Sequence, residues 1–248
     1  MCIRDRFESV DFSSALIRKG DFSNSILANV QFKNSWLQDI KFKEALLKQC
    51  DLSRAHLLAS DFNACNFTDS NFLKAKIKWS NLKSSVGENT NFEGADLSHS
   101  AMNNVAFRKG KFKTADLTGV NAAGSKFIEC DFSFTKLMKA KLSEGLFLSN
   151  DFTFSNLLDA DLSGSDFSNA NFSLANLKNA NLKRSNLSDV KFSKTNMEGI
   201  RLENAIVNDS LWFNKLVKLE VKGSKAIRDK YELLPLADDT IQYLIKLK

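Results

Sequence analysis

The chain of 248 residues holds two histidines, His56 and His99, and four cysteines. Imidazole and thiol are the groups from which metal sites, catalytic triads and reactive thiolates are built. A metal set needs three or four such ligands to converge, and a triad needs its base beside a nucleophile. Here the two histidines stand 43 residues apart, with no third ligand spaced around either. No GxGxxG or P-loop run is present to cradle a phosphate. Aspartate and asparagine are abundant but evenly spread: Asp11, Asp51, Asn66, Asp161 and Asn181 all fall on one five-residue beat. That regularity belongs to turns rather than to a paired general acid and base. No enzyme, metal or cofactor is expected.

The beat sets the elements that must position everything else. From Phe7 to Trp212 every fifth residue is large and apolar, with only Gly87 and Ala122 failing. The residue two places earlier is nearly always small, Ile40, Asn150 and Ile200 being the exceptions. The unit is therefore small, Asp or Asn, Leu or Phe, and two polar residues. In an α-helix a step of five turns the apolar residue by about 140°, so it would wander round the cylinder. In a straight strand the same step sends it to the opposite face. One face stays inside only if the chain turns once per repeat.

The large residues also set how many repeats close a coil. The series Phe12, Phe32, Leu52, Phe72, Phe92, Phe112, Phe132, Phe152, Phe172, Phe192, Trp212 is aromatic except at Leu52. The series Ile17, Leu37, Leu57, Ile77, Leu97, Leu117, Leu137, Leu157, Leu177, Met197 has no aromatic residue at all. The superperiod is thus twenty residues, and like stacks on like in neighbouring coils, as in a β-solenoid. Runs such as Ala160-Asp161-Leu162-Ser163-Gly164 and Ala180-Asn181-Leu182-Lys183-Arg184 resemble the pentapeptide-repeat family. The resemblance covers roughly residues 7–212. It implies an all-β, right-handed quadrilateral β-helix of about ten coils, with the Leu or Phe and the small residue pointing in. At about 4.8 Å per coil the rod would be roughly 50 Å long.

Residues 1–6 precede the pattern and read as a non-native, adapter-derived leader. Residues 213–248 follow it and carry the only proline, Pro235. Residues 226–234 read as a short helix. Asp238 and Asp239 would cap a second, with Ile241, Leu244 and Ile245 on one face. This tail is expected to cap the last coil, to dimerise the protein, or both. The resemblance keeps dimerisation open, because topoisomerase-directed members of the family dimerise through their C-terminal ends. No run of 18 apolar residues exists to span a membrane and no secretory signal is visible, so the expected compartment is the cytoplasm.

Net charge is +6, but within 7–212 the balance is 25 Lys/Arg against 23 Asp/Glu. The best-known activity implied by the resemblance is binding DNA gyrase as a DNA mimic. That needs a strongly acidic rod, and the quinolone-resistance members also carry projecting loops. This rod is near neutral and no loop interrupts its register, so a topoisomerase protector or inhibitor is the alternative rather than the first reading. Arg108, Lys109, Lys111 and Lys113 form a basic run. Glu88, Glu93, Glu129 and Asp131, twenty residues away, are expected to neutralise it in a cross-coil ladder. Specific nucleic-acid binding is not expected. Cys50, Cys65 and Cys130 sit at the small inward position as structural cysteines, and Cys50 and Cys130 are too far apart for a disulfide.

Without loops, function must lie on a face. Phe134, Phe154 and Leu174 occur in register at an outward position, beside Met138 and Leu158. They form an apolar patch of the size that marks a contact surface, unless the ladder stacks on itself or the tail covers it. Trp36, Arg54, His56, Lys74, Lys76 and Lys78 form a second patch on the same strip. There Arg54 stacks on Lys74, which is costly without a counter-ion, so the strip reads either as a solvated face or as a surface for an acidic partner. The expected function is a non-enzymatic interaction or scaffold module presenting one face to a protein partner, with homodimerisation through the tail or the apolar patch. Gly87, Met102 and Ala122 should leave the middle coils loosely packed or bent.

Overall fold

The structure, a computed structural model, describes residues 5–236 and 242–248. Four ladders of parallel bridges run along the rod, each stepping by twenty residues. One passes through Arg6, Ile26, Leu46, Asn66, Val86, Ala106, Lys126, Leu146, Asp166, Asn186 and Ile206. The others start at Asp11, Leu16 and Asp21. The chain is therefore a four-sided β-solenoid with one coil per twenty residues.

The local chemistry of the repeat makes each corner. The Asp or Asn at the bridge position accepts a hydrogen bond from the backbone N–H two residues on. Ser13 N donates to Asp11 at 2.7 Å, Ser53 N to Asp51 at 2.8 Å and Ser163 N to Asp161 at 3.2 Å. These are Asx turns, so the abundant carboxylates are occupied in folding the backbone. The next residue turns the corner with a left-handed φ near +55 to +60°, as at Asn34, Asn104 and Asp159. Side-chain amides also link coils: Asn71 donates to Asp51 at 3.1 Å, and Asn91 to Asn71 at 3.0 Å.

Inside, the phenylalanines stack as the twenty-residue series demands. Phe112, Phe132, Phe152 and Phe172 follow one another at ring separations of 4.7 to 4.9 Å and within 8° of parallel. Small inward side chains serve backbone groups that the corners leave without partners. Ser70 Oγ accepts from Cys50 N and donates to the Leu47 carbonyl. Asn150, an exception to the small-residue rule, has the same task. Its Oδ1 accepts from Cys130 N at 2.7 Å and its Nδ2 donates to the Phe127 carbonyl at 3.0 Å.

The expected looseness of the middle coils is confined to one spot. At Gly87 there is no void, because the Phe107 ring moves into the space a leucine would take. A Cβ added there would lie 2.8 Å from Phe107 Cε1. Beside Ala122 and Met102 a purely apolar cavity of about 10 Å³ remains.

The tail departs from its sequence reading. The coil ladder first runs into helix α1 (Trp212–Lys218), which bulges out and returns. Lys222 then pairs with Asn196 and Leu219 accepts from Lys194 N, six residues beyond the twenty-residue step. Helix α2 covers Ser224–Lys230 and ends there, and Tyr231–Pro235 is a strand rather than the rest of a helix. The expected second helix is also replaced: Tyr243–Leu247 is a strand, antiparallel to Tyr231–Pro235 and to Ile206–Val207 of the last coil. The expected caps Asp238 and Asp239, and Ile241, lie outside the described residues. The reason is the open edge of the final coil. Its backbone groups need partners, and Ile245 supplies them, donating to the Ala205 carbonyl and accepting from Asn204 N, both at 2.8 Å. Tyr231 is buried under this hairpin, and its hydroxyl accepts from Leu202 N at 3.3 Å.

Candidate interaction surfaces

The titratable groups are placed where they do structural work. Cys50, Cys65 and Cys130 are buried free thiols. Burial pushes Cys50 up to about 11 and Cys130 to about 12, and raises Cys65 further still. A thiol held that far from ionisation is a poor nucleophile at neutral pH. Among the described residues no three His, Cys, Asp or Glu side chains gather as metal ligands. No described helix is long and apolar enough to cross a membrane.

The basic run is neutralised less fully than its spacing suggests. Arg108 pairs with Glu129 at 3.6 Å rather than with Glu88, and Lys109, Lys111 and Lys113 make no ion pair among the described residues. The register is as expected, since Glu88 sits beside Arg108 and Lys111 beside Asp131. The exposed side chains simply do not close onto their neighbours. Cross-coil pairs form more fully towards the C-terminal end: Lys136–Asp116, Lys178–Glu198 and Lys183–Glu203, with Arg184–Glu144 reaching over Gly164.

The apolar patch stands on one corner of the rod. Phe134, Phe154 and Leu174 occupy successive corner positions with φ of 59°, 58° and 62°. The two rings stack at 4.7 Å and 7° from parallel, yet each stays 50% exposed. Lys113 approaches the Phe134 ring at 6.0 Å. Thr114 and Lys194 occupy the corner positions before and after this apolar run. Met138 and Leu158 are half-buried at the other end of the same side, with the Lys136–Asn156 ladder between them and the corner. The described tail packs on the last coil and leaves all three corner residues exposed. Left-handed backbone costs any residue with a Cβ about 1–2 kcal/mol, least for Asn and Asp and nothing for Gly, and this rod also holds Lys, Arg, Glu and Ala at such corners. Three consecutive apolar corners therefore stand out by the apolar surface they leave in water rather than by backbone strain.

The second patch is rearranged around a groove. Trp36 and His56 stack ring on ring at 3.8 Å. Burial, with help from Lys76 beside it in the ladder, holds the His56 pKa below its ordinary value. Arg54 and Lys74 share a corner, and Lys78 lies over the Trp79 ring at 4.3 Å. Trp36 and His56 line a groove of about 490 Å³ together with Leu16, Arg18, Leu58 and Trp79. Leu16 and Arg18 continue the strip of Trp36 and Gln38 one coil earlier, before the first coil that the sequence reading covered. Trp79 belongs to the next corner, and the signal for it was an exposed-position tryptophan beside the small Ala59.

A family model for pentapeptide repeats matches residues 41–83, 111–144, 151–184 and 170–209, in eight copies. The chain belongs to the pentapeptide-repeat family. A search of the curated proteins gives no significant match. Among solved structures, this pentapeptide-repeat chain is similar to HetL, a pentapeptide-repeat protein involved in heterocyst differentiation regulation from the cyanobacterium Nostoc sp. strain PCC 7120. The two are 20% identical, with a TM-score of 0.65 over 83% of this chain and 92% of HetL. It is also similar to a trypsin-treated variant of QnrB1, a plasmid-mediated fluoroquinolone resistance protein, at 18% identity. There the TM-score is 0.53 over 87% of this chain and 98% of the other. Both likenesses concern the fold. Against the pentapeptide-repeat pattern, the apolar corner Phe134–Phe154–Leu174 and the groove between Trp36 and Trp79 are outward departures from the polar rule.

Proposed function

We propose that this pentapeptide-repeat protein is a non-enzymatic interaction module whose rigid solenoid offers the Phe134–Phe154–Leu174 corner to a protein partner. The observation that carries the reading is the stacked, half-exposed ring pair held on left-handed backbone. Stacking returns only about 0.5–1.5 kcal/mol and leaves half of each ring in water, so the ladder does little for the fold. Burial against a partner would supply the missing gain at about 25 cal/mol per Å².

The test replaces both rings with a residue suited to a left-handed corner, Phe134→Asn with Phe154→Asn. A protein partner, or a second copy, predicts an unchanged unfolding midpoint together with lost partner recovery or a shift from dimer to monomer in light scattering. A lowered midpoint with unchanged association would make the ladder structural and sink the assignment. A topoisomerase-protecting role, suggested by the shared fold with QnrB1, predicts an effect on gyrase supercoiling at micromolar protein. The near-neutral rod makes no effect the expected result.

A further inference from the structure

The N-terminal groove differs from the apolar corner in shape and in charge. Ala59 sits between Asp39 and Trp79 on one corner ladder, and its small side chain leaves the floor open. Leu16, Leu58 and the two indoles wall the opening, and all four are exposed. Five cations lie on or beside it: Arg18 lines it, Lys76 neighbours His56 in the ladder, Lys78 lies over Trp79, and Arg54 and Lys74 hold the corner two residues before His56 and Lys76. None of them has a carboxylate within 4 Å among the described residues, whereas Lys136, Lys178, Lys183 and Arg184 nearer the C-terminus are each paired. One carboxylate, Asp39, lines the groove.

We propose that this groove binds an acidic peptide segment by taking one apolar side chain between Trp36 and Trp79 while flanking carboxylates meet Arg18, Arg54, Lys74 and Lys76. Charge complementarity selects the acidic partner, since stacked unpaired cations are relieved by anions. The pocket chemistry selects a peptide over a single-stranded nucleic acid. Bases need open aromatic faces, but His56 covers one face of Trp36 at 3.8 Å and Lys78 lies over Trp79. Each indole thus has one face taken, and the space between them is walled by Leu16 and Leu58, which suits an aliphatic or aromatic side chain as a buried anchor. The site lies on different coils from the Phe134 corner and stands or falls independently of it.

The experiment pans a random dodecapeptide display library against the full chain, then measures synthesised binders by tryptophan fluorescence. Trp36 and Trp79 are the exposed reporters, while Trp212 is buried. The expected binders are net negative with one aliphatic or aromatic residue among Asp and Glu. Their affinity falls at least tenfold with Trp79→Asn and with Lys74→Glu/Lys76→Glu, falls with added salt, and is indifferent to Phe134→Asn/Phe154→Asn. Asparagine is chosen at 79 because that corner is left-handed, and an unchanged unfolding midpoint shows that the fold survives. No enrichment, neutral or basic binders, or binders indifferent to Trp79 would overturn the proposal. So would a fifteen-nucleotide oligo(dT) binding as tightly and with the same dependence on Trp79.

Discussion

Restoring the repeat at Gly87 should destabilise the protein. The five-residue beat calls for a large apolar residue there, and leucine looks like an improvement on sequence grounds. The packing forbids it. Gly87 has no left-handed φ, so the obstacle is space alone: a Cβ would meet Phe107 Cε1 at 2.8 Å and press still closer on Thr90 Oγ1. The Thr90 hydroxyl is committed to the Phe67 carbonyl at 3.1 Å. Phe107 is locked between Phe67 and Phe127, with ring separations of 6.2 and 5.8 Å. Overpacking a filled core costs about 1–3 kcal/mol, and loosening the Thr90 bond adds about 1 kcal/mol. Removing a glycine from the unfolded chain returns only about 0.4–1 kcal/mol. Gly87→Ala should therefore lose about 1–2 kcal/mol and Gly87→Leu more, read as a lower urea midpoint with unchanged slope. At about 2–4 °C per kcal/mol for a chain of this size, thermal melting should fall by several degrees. A raised midpoint in Gly87→Leu would refute the packing argument and reinstate a void.

Two further outcomes follow from the buried polar groups. Asn150→Ala should cost about 1–3 kcal/mol, because Cys130 N loses its partner in an apolar interior; Asn150→Ser, which copies the Ser70 arrangement, should recover most of it in the same urea titration. Cys50, Cys65 and Cys130 should resist a thiol reagent at pH 8 until the protein is unfolded. Their raised folded pKa also sets a sign: unfolded thiols ionise from about pH 9 while Cys50 waits until about 11, so stability should decline with rising pH across that window. Cys50→Ala should keep the slope that Cys65 and Cys130 contribute but make it shallower than in the wild type, and the difference isolates Cys50.

Much of the architecture was legible from residue spacing, because every cause of it is local or strictly periodic. The small and large positions of each repeat name the inward set, and Asp or Asn at the bridge position makes its own turn within two residues. The alternation of aromatic and aliphatic series then reveals the twenty-residue coil, since rings stack best on rings at the interstrand spacing. The corner Phe134–Phe154–Leu174 was found in the same way, as residues that break a periodic rule. Trp79 was missed because the groove it frames depends on what a neighbouring corner lacks, the side chain at Ala59.

Sequence by itself determined the solenoid, its register and its phenylalanine core; only tertiary structure decided how the last coil ends and how imperfect repeats are filled. Residues 226–234 and the spacing of Leu244 and Ile245 read as helical, yet Tyr231–Pro235 and Tyr243–Leu247 pair as strands because the edge of the final coil holds unpaired backbone groups whose satisfaction outweighs local propensity. Helix α1 pushes the ladder six residues out of step, and Lys222 resumes it where the free edge at Asn196 was waiting. Gly87 shows the same principle in the core. Its space belongs to Phe107, twenty residues away, and no count along the chain shows which of two neighbours will fill a gap.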